Sequence, residues 1–143
     1  MLFRSALGCS FELRSANITQ EGIRVLVEVV NLDAEARKVA FYDDKWSWPK
    51  SRITDEAGKQ YLTSLAYVWQ GSKKALMWDI DSRGRGVEIP PQTSVTMELI
   101  FKNIPANLKT VKINLHPFIY YQSGRRETWQ EFDLSMPNMH IRR

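Results

Sequence analysis

The sequence predicts an all-β fold, an immunoglobulin-like antiparallel β-sandwich of about seven to nine strands. Three observations carry that expectation. Apolar and polar residues alternate with period two over several short stretches, turn-forming residues recur every ~8–12 positions, and no long segment keeps the spacing of an amphipathic helix.

The first alternating stretch is Cys9, Phe11 and Leu13, with Ser10, Glu12 and Arg14 expected to face water. A stronger one follows, in which Ile23, Val25, Val27 and Val29 fall on one face and Arg24 and Glu28 on the other; β-branched side chains suit such a pleated surface. Leu26 and Val30 interrupt the polar face, so part of it is expected to be covered. Asn31 to Ala34 reads as a turn, after which Val39 and Phe41 resume the period until Asp43-Asp44 stops it. Arg52 to Thr54 and Lys59 to Leu62 flank Asp55-Glu56-Ala57-Gly58, a hairpin with Gly58 where positive φ is wanted.

From Ser64 to Arg85 the pattern is least regular and suggests a long inserted connection, within which Ser72 to Trp78 fits either a helical turn or a short strand. Val87 and Ile89 then lead into Pro90-Pro91, whose missing N–H donors end a ladder. Val95, Met97, Leu99 and Phe101 alternate with Thr96, Glu98, Ile100 and Lys102, and Val111, Ile113 and Leu115 repeat the pattern. Pro117 marks a bulge or an edge. Ile119 to Tyr121 run into the turn Gln122-Ser123-Gly124-Arg125, and Glu127 to Leu134 form a last strand before Pro137. Residues 1–8 are expected to be an N-terminal tail or linker, 9–137 the sandwich, and 138–143 a basic C-terminal tail.

Three pieces, in order, resemble a family of immunoglobulin-like accessory domains of unknown function found in bacterial surface lipoproteins and other extracytoplasmic proteins. They are the strand Ile23 to Asn31 that ends in Asn, the acidic hairpin Ile53 to Tyr61, and Ile89-Pro90-Pro91-Gln92-Thr93-Ser94-Val95 followed by Met97 to Pro105 and Lys112 to Leu115. The family writes Pro-Gly where this chain has Pro91-Gln92. The resemblance implies a non-enzymatic binding or spacer domain in an extracytoplasmic setting and supplies no catalytic residues.

Composition narrows the function classes. The chain has 143 residues, 43% apolar and 25% charged, so it can bury a sizeable core without a staple. Cys9 is the only cysteine, which excludes an intrachain disulfide, and His116 and His140 lie far apart, so no metal or cofactor is expected. The most apolar run, Ile23 to Leu32, is broken by Arg24, Glu28 and Asn31, so no transmembrane segment is expected. Ala6-Leu7-Gly8-Cys9 is similar to a lipidation box, but only eight residues precede Cys9 and Arg4 interrupts them. Cys9 is therefore expected to be a small apolar residue in a first strand.

No histidine pairs convincingly with Cys9 or a serine, and the carboxylates of Asp43-Asp44, Asp55-Glu56 and Glu127 with Glu131 suit turns and solvated strands, so no enzyme activity is expected. Asp79-Ile80-Asp81-Ser82-Arg83-Gly84 opens like a calcium loop, but Arg83 takes a ligand position and Pro90 stands where a bidentate Glu belongs. Lys73, Lys74, Arg83 and Arg85 form a candidate basic patch, the basis of a nucleic-acid-binding β-barrel as the third reading.

The aromatics carry the most information. Five tryptophans exceed what one small sandwich core needs. Two arrangements compete for Trp46, Trp48, Tyr67, Trp69 and Trp78: rings that cap the sandwich end with their N–H groups on backbone carbonyls, or an exposed platform for a ligand. The expected function is a non-enzymatic interaction or scaffolding module with a protein partner or attached domain. Carbohydrate binding through Trp46 and Trp48 is the alternative.

Overall fold

The computed structural model describes residues 3–105 and 107–143. Its strands are β1 (Phe3–Ala6), β2 (Cys9–Ile18), β3 (Ile23–Asn31), β4 (Arg37–Ala40), β5 (Arg52–Thr54), β6 (Gln60–Leu62), β7 (Leu65–Gln70) and β8 (Lys73–Leu76). After a helical turn, α1 (Met77–Ile80), come β9 (Val87–Ile89), β10 (Ser94–Phe101), β11 (Thr110–Leu115), β12 (Phe118–Ser123), β13 (Arg126–Glu131), β14 (Leu134–Ser135) and β15 (Met139–His140). They form three antiparallel sheets, ordered β1-β2-β3-β10-β7-β8, β14-β11-β5-β6 with β15 also on β11, and β13-β12-β4-β9. The protein is thus an all-β sandwich. The strands with six or more residues are β2, β3, β7, β10, β11, β12 and β13; the others are shorter pieces.

The inward faces of all three sheets meet in one core. Ile23, Val25, Val27 and Val29 of β3 are fully buried opposite Phe101, Leu99, Met97 and Val95 of β10, so the period-two pattern points where the alternation predicts. Each such side chain contributes about 1.5–3 kcal/mol relative to exposure. Asn31 closes β3 with a satisfied buried amide, its Nδ2 donating to the carbonyls of Glu35 (2.8 Å) and Ile89 (2.9 Å). In β2 a bulge between Leu13 and Ser15 inserts Arg14 beside Glu12 and Glu28, two carboxylates in direct cross-strand register, and Arg14 bridges both.

Several expectations change. The segment read as an inserted connection supplies β7, which lies between β10 and β8 in the largest sheet. Alternation fails there because Leu65, Tyr67 and Trp69, on the outer face, are as apolar as Ala66 and Val68 on the core face. Ser72 to Trp78 is neither one strand nor one helix, since β8 ends at Leu76 and α1 begins at Met77. The N-terminal segment 1–8 is not only a tail, because Phe3–Ala6 pairs with β2; Met1 and Leu2 lie outside the described residues. The C-terminal segment 138–143 also joins the fold: Met139 and His140 pair with β11, Ile141 is buried, and the Arg142 N–H donates to Ala16 O at 2.8 Å. The predicted hairpin forms as β5 and β6, with Gly58 at φ +86° and Asp55 Oδ1 accepting the N–H groups of Ala57 and Lys59.

Candidate functional site

The site is built on the segment that leaves β4. Phe41, Tyr42 and Asp43 are buried, and Asp43 forms a turn in which Oδ1 accepts the Lys45 N–H at 3.0 Å and its carbonyl accepts the Trp46 N–H at 3.1 Å. Burial pushes the Asp43 carboxyl above its usual range, against the opposing effect of hydrogen bonds from the Lys45 and Ala66 N–H groups. The Trp78 indole lies close enough to favour the carboxylate slightly, without hydrogen-bond geometry.

This turn lays aromatic rings on one another. Tyr42 stacks on Trp78 with centroids 5.1 Å apart and planes 10° from parallel, and Trp46 tilts against Trp78 at 5.0 Å. Phe118 meets the Tyr42 ring edge-on at 4.8 Å. The Tyr42 hydroxyl donates to Gly84 O at 2.5 Å and lies 2.5 Å from the Tyr120 hydroxyl. Burial, then the Tyr120 contact, raises the Tyr42 phenol well above its ordinary value, so it remains protonated. Gly84 has φ +80°, and a Cβ there would stand 2.7 Å from Trp46 Cη2; only glycine lets the 81–86 loop close over that indole.

On this buried base stand two exposed indoles. Trp48 is 43% exposed and Trp129 is 47% exposed; their centroids are 6.4 Å apart with planes at 69°. Trp48 rests on Phe118 and Tyr42, and Trp129 lies beside Tyr120, its direct cross-strand partner between β13 and β12. Lys50 holds the Trp46–Trp48 turn, its Nζ donating to the carbonyls of Trp46 (2.6 Å) and Trp48 (3.1 Å).

Trp48 also lines an open trough of about 500 Å³ with Arg52, Gln60, Leu62, His116 and Asp133. The Arg52 guanidinium meets Asp133 at 3.1 and 3.4 Å, and His116 Nε2 lies 3.0 Å from Glu131. Burial alone would raise the Asp133 carboxyl, but hydrogen bonds from Arg52 and Asn114 and the Arg52 charge outweigh it and hold it below the usual range.

No family model, curated protein or solved structure matches the chain. The geometry therefore carries the functional reading.

The five aromatics singled out from sequence divide into two groups. Trp46, Trp48 and Trp78 are together, with Trp78 buried as the base and Trp48 exposed above it. Tyr67 and Trp69 lie on the outer face of the large sheet, where they cover Glu98. That carboxylate has no exposed surface, accepts Trp69 Nε1 at 3.1 Å and pairs with Lys74 Nζ at 2.6 Å, while Lys74 sits 4.4 Å above the Tyr67 ring. The expectation that capping indoles would donate to backbone carbonyls is not met at Trp46 and Trp78, whose buried N–H groups have no hydrogen-bond partner.

The basic residues fall in two elements. Lys73 and Lys74 are on β8, Arg83 and Arg85 in the loop after α1, and Arg85 pairs with Glu127 at 3.2 Å. Asp81 occupies the anion seat of that loop, accepting the Arg83 and Arg85 N–H groups at 3.0 and 2.9 Å. Among the described residues, no group of three or more His, Cys, Asp or Glu side chains is placed to hold a metal ion, and no helix is long and apolar enough to cross a membrane.

Sequence reasoning missed Trp129 and the paired trough residues. A signal for Trp129 was present: Glu127, Trp129 and Glu131 share one face of a strand, and an aromatic between two carboxylates at period two is a solvent-facing position. Arg52 and Asp133 are 81 positions apart, and nothing local in the sequence announces their meeting.

Proposed function

We propose that the protein is a non-enzymatic binding module whose contact surface is the Trp48–Trp129 face. The observation that carries this reading is a pair of tryptophans about half exposed yet held from below, Trp48 on the buried rings of Tyr42 and Phe118 and Trp129 on Tyr120. Exposed aromatics anchored this way supply contact area with little ordering cost on binding, which is why they dominate recognition surfaces. The sandwich is read as immunoglobulin-like and as an accessory domain of an extracytoplasmic assembly, on the strength of the three sequence pieces that resemble that family.

The test uses the full chain and a Trp48→Ala/Trp129→Ala double variant, both presented to a panel of immobilised polysaccharides and used as bait for site-directed cross-linking in extract of the native source. Any ligand or partner held by the wild type and lost by the folded double variant supports the reading. Binding that is indifferent to the two substitutions, or no binding by the wild type, overturns it.

A further inference from the structure

Resting on that reading, we infer that the ligand is an uncharged oligosaccharide segment, stacked on Trp48 and Trp129 and hydrogen-bonded along the trough by Arg52, Gln60, His116 and Asp133.

The argument starts from what each group offers. The face of an indole carries negative charge density and attracts the weakly positive C–H edge or face of an apolar group. A pyranose ring presents such C–H groups on its flat faces and hydroxyls around its perimeter. Each hydroxyl both donates and accepts. A site for it needs an aromatic floor and, in the plane of the ring, donors and acceptors side by side. Trp48 supplies the floor. Beside it, Arg52 donates and Asp133 accepts within one pair 3.1 Å apart, Gln60 offers both roles in one amide, and His116 and Glu131 form a second pair. Trp48 is common to the trough and to the Trp129 contact, so the surface extends beyond a single ring.

Charge selects the class of sugar. In the trough the Arg52 guanidinium is paired with the Asp133 carboxylate, His116 Nε2 shares a hydrogen bond with Glu131 beside it, and Lys50 Nζ is turned onto two backbone carbonyls. An anionic polymer would meet the Asp133 carboxylate beside the guanidinium, and a cationic one the guanidinium beside the carboxylate, so the pair offers neither sign a net attraction while its remaining donors and acceptors stay open to hydroxyls. A neutral hydroxylated chain only exchanges water for its own hydroxyls.

The same pair argues against a broad protein partner. Protein interfaces place apolar residues at the centre and charges at the rim, over roughly 800 Å² per partner. Here the Arg52–Asp133 ion pair lines the same trough as Trp48, so a surface wide enough to seal the indole would also strip water from that pair. A narrow chain lying along the trough leaves the pair's outer side in water.

The experiment is affinity electrophoresis of the full chain in gels containing soluble β-glucan, xylan or mannan, with polygalacturonate and chitosan gels as charged counterparts, followed by titration calorimetry on whichever polymer retards it. Retardation is expected on at least one neutral gel, with affinity changing less than about twofold between roughly 50 and 500 mM salt. Trp48→Ala should weaken binding by about tenfold or more, and Gln60→Ala or Asp133→Asn by about threefold to tenfold. Trp48→Phe, which keeps an aromatic face, should recover most of the loss, and Lys73→Ala on β8 should bind as wild type. No retardation on any neutral gel overturns the inference, as does preference for a charged gel with steep salt dependence. Cross-linking of a protein at Trp48 or Trp129, lost in the double variant, overturns the sugar and leaves the binding module standing.

Discussion

Truncating tryptophans at two levels of the aromatic stack separates a structural base from the proposed recognition surface. Trp78 is 4% exposed, stacked on Tyr42 and tilted against Trp46. Replacing a fully buried Trp with Ala removes its transfer energy and leaves a cavity, together about 3–5 kcal/mol, and the lost Tyr42 pairing adds to this. Trp48 makes the same chemical change at a site 43% exposed. Water fills the space there, no closed cavity forms, and only the covered half of the ring loses burial, so about 1–2 kcal/mol is expected. Trp129→Ala should behave like Trp48→Ala.

The contrast of ~2–3 kcal/mol is readable by urea denaturation. With m of about 1–3 kcal/mol/M, it places the midpoint of Trp78→Ala roughly 0.7–3 M below that of Trp48→Ala. Since small domains have only about 5–15 kcal/mol in total, Trp78→Ala should sit near the edge of folding while Trp48→Ala remains folded at ambient temperature. Equal losses at the two positions, or a Trp78→Ala variant within 1 kcal/mol of wild type, would refute the two-level arrangement. The comparison also guards the binding tests, because a folded Trp48→Ala protein makes loss of ligand a statement about the surface.

Gly84→Ala should destabilise by about 2–4 kcal/mol, through positive φ and a Cβ 2.7 Å from Trp46, and should change the near-ultraviolet circular dichroism of the stack; an unchanged spectrum and melting point would contradict the close approach. Cys9 is fully buried, and burial, partly offset by Arg37, raises its thiol to about 11, so a thiol reagent at neutral pH should label it only as fast as the protein opens. Immediate labelling of the native chain would be inconsistent with that. Asp43 is held above its unfolded value of 3.8, so the native state binds the extra proton between 3.8 and the raised value, and stability falls as pH climbs through that window. Asp43→Asn lacks this loss. Its stability relative to wild type, from urea melts at several pH values, should therefore rise as pH passes upward through the window, and a gap that does not change with pH would overturn the assignment.

Some of this was legible in one dimension and some was not, for a physical reason. On β3 one face is dry and the other half-wet, so the period of two is written into the residues; on β10 the apolar side chains still alternate with Thr96 and Glu98, although Glu98 and Ile100 are buried too. β7 escaped because its part-exposed outer face carries Leu65, Tyr67 and Trp69, the last two packed over Glu98 and its Lys74 partner; a strand with apolar residues on both faces has no alternation to read. β1 and β15 escaped because two to four residues are too few for a period, and their partners, β2 and β11, stabilise them only once the sheets have formed. Trp46-Ser47-Trp48 was visible as an unusual string, yet which indole faces water depends on Gly84, Tyr42 and Phe118, contributed from other parts of the chain.

The same comparison explains why recognition is assigned to one face rather than to the others the sequence offered. A recognition group must be held in place and still have an open side. Trp69 and Lys74 are held, but by Glu98, which uses the indole N–H and the ammonium. Arg85 is held by Glu127, and the N–H groups of Arg83 and Arg85 in the same loop already donate to Asp81. Trp78 is held on both faces and has none to offer. Trp48 and Trp129 meet both conditions: neighbours fix each ring from below, and close to half of each surface remains in water. The fold therefore spends most of its chemically distinctive side chains on one another and leaves two indoles, beside paired polar groups, as the surface proposed for contact with another molecule.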